Sequence, residues 1–220
     1  MRRFLDPHPP EVQISGLARA QEGVVSTSQL RAVGFGEGAI RRRVEAGRWR
    51  RVHRGVYVLG PARLSQRGRW WAALLACGEG AVVSHASAAA LWGIRSFESA
   101  KTHVTVPSRS GRRPDERILL HRVASLHPEA VTWRHRIPVT TPARTLLDLA
   151  GTLSCRQLER AFDEAERLPL QRLDAVHAQA VANPRRRGVT HLRAVMEAHQ
   201  PGSTRTRTYL EEKFFAACDG

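Results

Sequence analysis

Arg48-Trp49-Arg50-Arg51-Val52-His53-Arg54-Gly55-Val56-Tyr57-Val58-Leu59 decides the reading of this chain. Two runs rich in β-branched and aromatic residues flank Arg54-Gly55, a pattern that predicts a β-hairpin. The stretch is also the most basic part of its neighbourhood: from Arg41 to Arg54 there are seven arginines and one acid, Glu45, a net +6. Working back from the hairpin, Gly47 stops a helix predicted over about 37–46. On that helix Ile40 and Val44 sit four apart and face inward, while Arg41 and Arg42 point away and Arg43 lies on the flank. Gly34-Phe35-Gly36-Glu37-Gly38 is a tight turn before it. Ser26-Thr27-Ser28-Gln29-Leu30 supplies an N-cap and opens a short second helix ending near Gly34. Val12, Ile14, Leu17 and Ala18 recur at near-helical spacing, so a first helix is expected over about 11–22, with Gly23 as its stop. Three short helices followed by a basic hairpin read as a winged helix-turn-helix.

Double-stranded DNA is the partner this arrangement suits. A third helix carrying Arg41 and Arg42 can enter the major groove, where arginine reads guanine O6 and N7 or holds phosphate. Hairpin arginines can lie on the backbone or in the minor groove. The candidate DNA contacts are therefore Ser28, Gln29, Arg41, Arg42, Arg43, Arg48, Arg50, Arg51 and Arg54. Trp49 and Tyr57 are expected in the core of the wing rather than as stacking platforms.

Outward from this segment the composition agrees. The chain has 220 residues and a formal net charge of +15, from 35 Lys+Arg against 20 Asp+Glu. With 42% hydrophobic and 25% charged residues it suits a folded protein and excludes a disordered polar chain. Its length suits one large or two small domains. Residues 1–60 carry a net +6, 61–150 a net +7, 151–200 a net +2 and 201–220 none. The charge makes a polyanion the expected partner. An anionic membrane is the less fitting one, because the arginines lie on a helix-turn-helix and not on an amphipathic helix with a wide apolar face. No segment approaches the ~18 apolar residues of a membrane helix, and the N-terminus lacks the apolar stretch of a signal peptide. A cytoplasmic location is expected. Cys77, Cys155 and Cys218 are odd in number and far apart, which supports neither a disulfide framework nor a metal knuckle.

The remainder reads as a mixed domain of helices and antiparallel strands, then a helical C-terminal part, giving an α+β class overall. Helices are expected over 62–77, 85–92, 142–150, 154–167, 170–181 and 189–199, with short β-like residues at 81–83 and strands over 101–106, 118–123 and 131–137. Ser108–Pro114 is a basic loop, and Asn183–Gly188 a basic turn. The expected division is 1–60, a winged helix-turn-helix; 61–200, the mixed domain; and 201–220, the first helix of a further unit.

These motifs resemble a known family. The run Gly47–Leu59 after a helix-turn-helix looks like the N-terminal domain of AbiEi-type antitoxins of type IV toxin–antitoxin systems, linked to abortive phage infection. Val83-Ser84-His85-Ala86-Ser87-Ala88-Ala89-Ala90-Leu91-Trp92-Gly93, then His103–Pro107, then Pro138–Ala150 resemble the domain that follows it in such proteins. The resemblance covers about 12–200 and implies an autoregulator that binds its own operon's promoter, with a cognate nucleotidyltransferase-type toxin encoded nearby. Thr204–Cys218 is similar to the opening helix of a very-short-patch-repair-like endonuclease of the PD-(D/E)xK superfamily, where Glu211 or Glu212 would match a metal-binding acid. The alternative function is therefore a nuclease fragment whose catalytic domain is missing. In that superfamily the other ligands would come some tens of residues later, after Gly220, and one carboxylate cannot assemble a water-activating metal site.

No complete catalytic site is legible, no metal site and no cofactor are expected, and whether the protein is an enzyme stays open. His85, His103, His121, His127 and His135 never fall at helical ligand spacing. His85, beside Ser84 and with no acid at suggestive spacing, reads as a structural residue at a helix start.

Overall fold

The computed structural model describes residues 9–61, 63–96, 100–107, 115–168 and 173–199. It opens with α1 (Pro10–Ala20), β1 (Val24–Ser26), α2 (Thr27–Ala32), α3 (Glu37–Glu45), β2 (Trp49–His53) and β3 (Val56–Leu59). Ser26 starts α2 with a capping box: Gln29 N donates to its Oγ at 3.2 Å, and its own N donates to Gln29 Oε1 at 2.9 Å. The three strands form an antiparallel sheet in the order β1-β3-β2. The strand β1 is absent from the sequence reading, because three residues after Gly23 are too few to show alternation.

Neighbouring residues of this sheet point to opposite faces, and both faces are buried. Val25 and Trp49 pack with Ile14, Ala18, Leu30, Phe35 and Ile40 of the helical layer. Val24, Val52, Val56 and Val58 join a larger core with Trp70 and Leu74 of α4 (Gln66–Cys77). The wing sheet is thus a plate between the three helices and the rest of the chain. Apolar packing runs continuously across residues 60 and 61.

The larger core is completed by β4 (Val82–Val83), α5 (His85–Trp92), β5 (Thr102–Pro107), β6 (Ile118–Val123), a 3-10 turn at Pro128–Ala130, β7 (Val131–Arg134), β8 (Ile137–Thr140), α6 (Pro142–Ala150), α7 (Cys155–Glu166), α8 (Leu173–Ala182) and α9 (Val189–Ala198). The class is α+β, as expected. The five-stranded sheet, ordered β6-β5-β4-β8-β7, is mixed and not purely antiparallel, since β5 runs parallel to β6 and β4 to β8. The single strand expected over 131–137 is a hairpin. It turns at His135-Arg136, both with positive φ (49° and 64°), the geometry of a turn that usually takes Asn-Gly. Nothing in a His-Arg pair announces that turn.

The hub is α6, packed against α5, α7, α8 and α9. Thr141 caps it by accepting from Arg144 N at 3.3 Å, and Pro142 occupies its first position. Residues 143–150 are all buried, two of them charged: Arg144 and Asp148. Gly188 (φ 82°) lets the chain enter α9 directly over α6, where a Cβ would stand 2.0 Å from Ala150 O. Cys77 is a buried thiol. The loop Ser108–Pro114 and the terminal residues 201–220, with Glu211 and Glu212, lie outside the described residues.

Candidate nucleic-acid interface and a buried histidine cluster

The predicted DNA-contact residues separate into three groups. Arg41 and Arg42 are exposed on α3, and Arg48, Arg51 and Arg54 are exposed on β2 and its turns. Arg41 Nε stands 3.7 Å from Glu45 Oε1, a solvated pair one helical turn apart. Arg42, Arg48 and Arg54 have no carboxylate partner among the described residues. The wing turn is fixed to the helical layer by its backbone. Thr27 N donates to Gly55 O at 2.8 Å, and Thr27 Oγ1 donates to the same oxygen at 3.2 Å. Gly55 has φ 72°, which a side chain there would strain. The start of α2 is therefore tied to the β2–β3 turn.

A second group, Arg43, Gln29 and Ser28, makes side-chain contacts within the helical layer. The Arg43 guanidinium lies 4.7 Å from the Phe35 ring centre and 5.3 Å from that of Trp49. It donates to Glu11 Oε1 at 3.0 Å and to Ala39 O at 3.2 Å, pinning α1 to α3. Gln29 is spent on the capping box and on Gln21 Oε1, to which its Nε2 donates at 3.0 Å. Ser28 is exposed, its Oγ 2.8 Å from Ser26 Oγ.

Arg50 forms the third group. It pairs with Val58 on the face of the sheet opposite to Trp49 and Arg51. There it lines a cleft of about 490 Å³ with His53, Arg63, Arg69 and Arg117. Arg117 is held in place, donating to Asp115 Oδ2 at 2.8 Å and to Val52 O at 2.7 Å. The guanidinium of Arg117 keeps the Asp115 carboxyl well below the usual carboxylate range. The strand's alternation, not its charge, decides which arginines share a face.

The sequence reading missed a polar cluster in the second segment. His85 enters α5, His103 lies on β5 and His121 on β6. The parallel register pairs Thr105 with His121, so His103 and His121 lie diagonally on one sheet face. The His85 and His121 rings stack at 3.5 Å between centres, and His103 Nδ1 lies 3.2 Å from His121 Nε2. His85 adopts a left-handed backbone (φ 49°), uncommon for a residue with a side chain. Its Nδ1 is 3.0 Å from Ser84 Oγ and 3.8 Å from Asp148 Oδ2. Asp148 Oδ1 accepts from Arg144 Nε at 2.8 Å and from Arg186 at 2.6 Å, while its Oδ2 has no hydrogen-bond partner among the described residues.

Burial sets the protonation of this cluster. It pushes His85 down to about 3, helped by the charges of His103, Arg186 and Arg144. It pushes His121 down to about 3 as well, helped by His85 and His103. It pushes the Asp148 carboxyl up, against the pull of both guanidiniums. Both His85 and His121 are neutral at pH 7. The i, i+4 spacing of Arg144 and Asp148 on the predicted helix 142–150 is the one signal the sequence carries for their ion pair, and the sequence reading missed it. The meeting of three histidines from three elements was not legible, since helical spacing cannot report neighbours across a sheet.

The chain was compared with known proteins. Residues 13–60 match the family described as "Transcriptional regulator, AbiEi antitoxin". Residues 80–197, more than half of the chain, match "AbiEi antitoxin C-terminal domain". No curated protein matches the sequence. Among solved structures, the RV2827C protein from Mycobacterium tuberculosis is similar at 17% identity and a TM-score of 0.40, over 87% of this chain and 82% of that one, a likeness too slight to carry an argument. The two family matches fall in order on the winged segment and on the mixed sheet with its helices. The chain belongs to the AbiEi family, the transcriptional-regulator antitoxins of type IV toxin–antitoxin systems.

Proposed function

We propose that this antitoxin binds double-stranded DNA at its own operon's promoter, with α3 in the major groove and the wing on the adjacent backbone. The observation that carries this reading is the exposed arginines Arg41 and Arg42 on α3 and Arg48, Arg51 and Arg54 on the hairpin, whose turn Thr27 of α2 ties to the helical layer. Arg41 and Arg42 read bases, and Arg48, Arg51 and Arg54 neutralise phosphate. Arg43 and Gln29 position the helices that carry them. Arg50 faces the basic cleft and contacts only DNA that bends past the wing. Ser28, at the exposed start of α2, donates to phosphate.

In this reading residues 1–60 are the DNA-reading unit, 61–200 the accessory unit that meets a cognate toxin, and 201–220 the start of a further unit. Among the described residues no helix is long and apolar enough to cross a membrane. A cytoplasmic location, where promoter and toxin are both accessible, accords with the family's role. Neither family match concerns a nuclease, and the nuclease alternative finds no support. The test is a reporter driven by the DNA upstream of this reading frame. The protein should repress it, and Arg41→Ala with Arg42→Ala should relieve repression. Equal expression with and without the protein would overturn promoter autoregulation. For the accessory unit, co-purification with the product of the adjacent gene is the check.

A further inference from the structure

We propose that His85, His103 and His121 form a binding site for a divalent transition-metal ion of the zinc class, with Asp148 orienting His85 from behind. One ring nitrogen from each histidine lies within 4.8 Å of the others. Two nitrogens bound at ~2.0–2.1 Å to one tetrahedral ion stand roughly 3.3 Å apart. His103 Nδ1 and His121 Nε2 already stand at 3.2 Å, and a ring nitrogen of His85 lies within 4.8 Å of both. Imidazole suits zinc, and three histidines with one open position is an established zinc coordination. His103 and His121 are only partly buried, so the fourth position opens to solvent.

Asp148 supplies the independent observation. Its side chain is fully buried, its Oδ2 has no hydrogen-bond partner among the described residues, and that atom lies on the Nδ1 side of His85. Metal-binding histidines characteristically give their far N–H to a carboxylate, which fixes the tautomer and aims the other nitrogen at the ion. Here Nδ1–H would face Asp148 and Ser84, leaving Nε2 for the metal. Arg144 and Arg186 on Oδ1 hold the carboxylate in place without occupying the oxygen that faces His85. The same geometry excludes a Ser84–His85–Asp148 nucleophilic triad. Ser84 Oγ and Asp148 Oδ2 both address Nδ1, whereas a triad sets its serine and its acid on opposite ring nitrogens. Net positive charge from the two arginines favours hydroxide or another anion in the fourth position.

The test uses the full, tag-free chain, dialysed against Zn²⁺ and separately against Co²⁺. About one ion per chain is expected, and Co²⁺ should show the visible absorption of a tetrahedral site. His103→Ala and His121→Ala, at half-buried positions, should each lose the ion. His199→Ala, at the other place where acids and imidazole gather (Asp163, Glu166 and His199), should retain it. A titration of the unmutated chain does not depend on how the variants fold. In it, Zn²⁺ should shift the imidazole nitrogen resonances of three histidines together, saturating at about one equivalent. No retained metal, binding unchanged in a folded His103→Ala or His121→Ala chain, or movement of other histidines alone would overturn the assignment.

Discussion

Asp148→Asn isolates the part of the structure that carries most electrostatic consequence. The substitution keeps side-chain volume and removes the charge. Asp148 is fully buried and accepts at Oδ1 from two guanidiniums, at 2.8 Å and 2.6 Å. The side chain of Arg144 is 4% exposed and has nowhere to go, whereas that of Arg186 is 23% exposed and can turn toward water. Breaking a buried ion pair by removing one partner costs about 3–5 kcal/mol, because the other charge stays desolvated. Arg144 should account for most of this. The expected loss is therefore ~3–5 kcal/mol for Asp148→Asn but only ~1–2 kcal/mol for Arg186→Ala, whose removal leaves the Arg144 bond intact. At this chain length a loss of ~3–5 kcal/mol corresponds to a Tm lower by roughly 6–20 °C. Urea unfolding followed by tryptophan fluorescence reads it, since Trp92 sits in the same core and donates to Thr140 O. A loss below ~1 kcal/mol for Asp148→Asn would refute the reasoning, as would equal losses for the two variants.

Three further outcomes follow from single residues. Gly188→Ala places a methyl 2.0 Å from Ala150 O at a φ of 82°, so both clash and backbone strain oppose it. It should destabilise by more than the ~1–2 kcal/mol of a left-handed alanine alone, and thermal unfolding checks this. Arg43→Ala should lower stability by ~1–2 kcal/mol, because the guanidinium no longer covers the Phe35 and Trp49 rings or bonds Glu11, while leaving the salt dependence of DNA binding unchanged. His199 should titrate above 6.5: burial pulls it down, but hydrogen bonds to Asp163 and to the Val195 carbonyl outweigh that. A base with a raised folded-state pKa adds stability fully present below pH 6.5 and lost as pH rises through its folded value. Histidine NMR titration of the native chain and of Asp163→Asn tests the shift, and a native value at or below 6.5 would refute it.

Much of this architecture was legible in the chain. Local signals were enough for α3, where Ile40 and Val44 share a stripe and Gly47 ends it, and for the hairpin around Gly55. They were enough for α6, opened by Thr141-Pro142. Other features are set by contacts that sequence spacing does not encode. The strand β1 exists because β3 is there to pair with it. The reversal at His135-Arg136 is imposed by β7 and β8 packing in register. Arg50 and Arg51 are adjacent in sequence yet face different surfaces, so counting charge overstated one basic face. The histidine cluster is the clearest case, because its members are joined by sheet register and by the hub helix.

The proposed division of labour, in which exposed arginines on α3 specify a DNA sequence and those of the wing hold phosphate, meets its most direct test in one experiment. Fluorescence-anisotropy titration of promoter and scrambled duplexes over a salt series measures both roles at once. The native chain should prefer the promoter. Arg41→Ala with Arg42→Ala should reduce that preference by ~1–3 kcal/mol for each base these side chains read. Arg51→Ala and Arg54→Ala should weaken both duplexes alike and make the slope of log K against log salt shallower by ~0.9 for each phosphate no longer neutralised. Equal, weak binding of the two duplexes by the native chain, or an unchanged preference in the Arg41→Ala, Arg42→Ala chain, would contradict it.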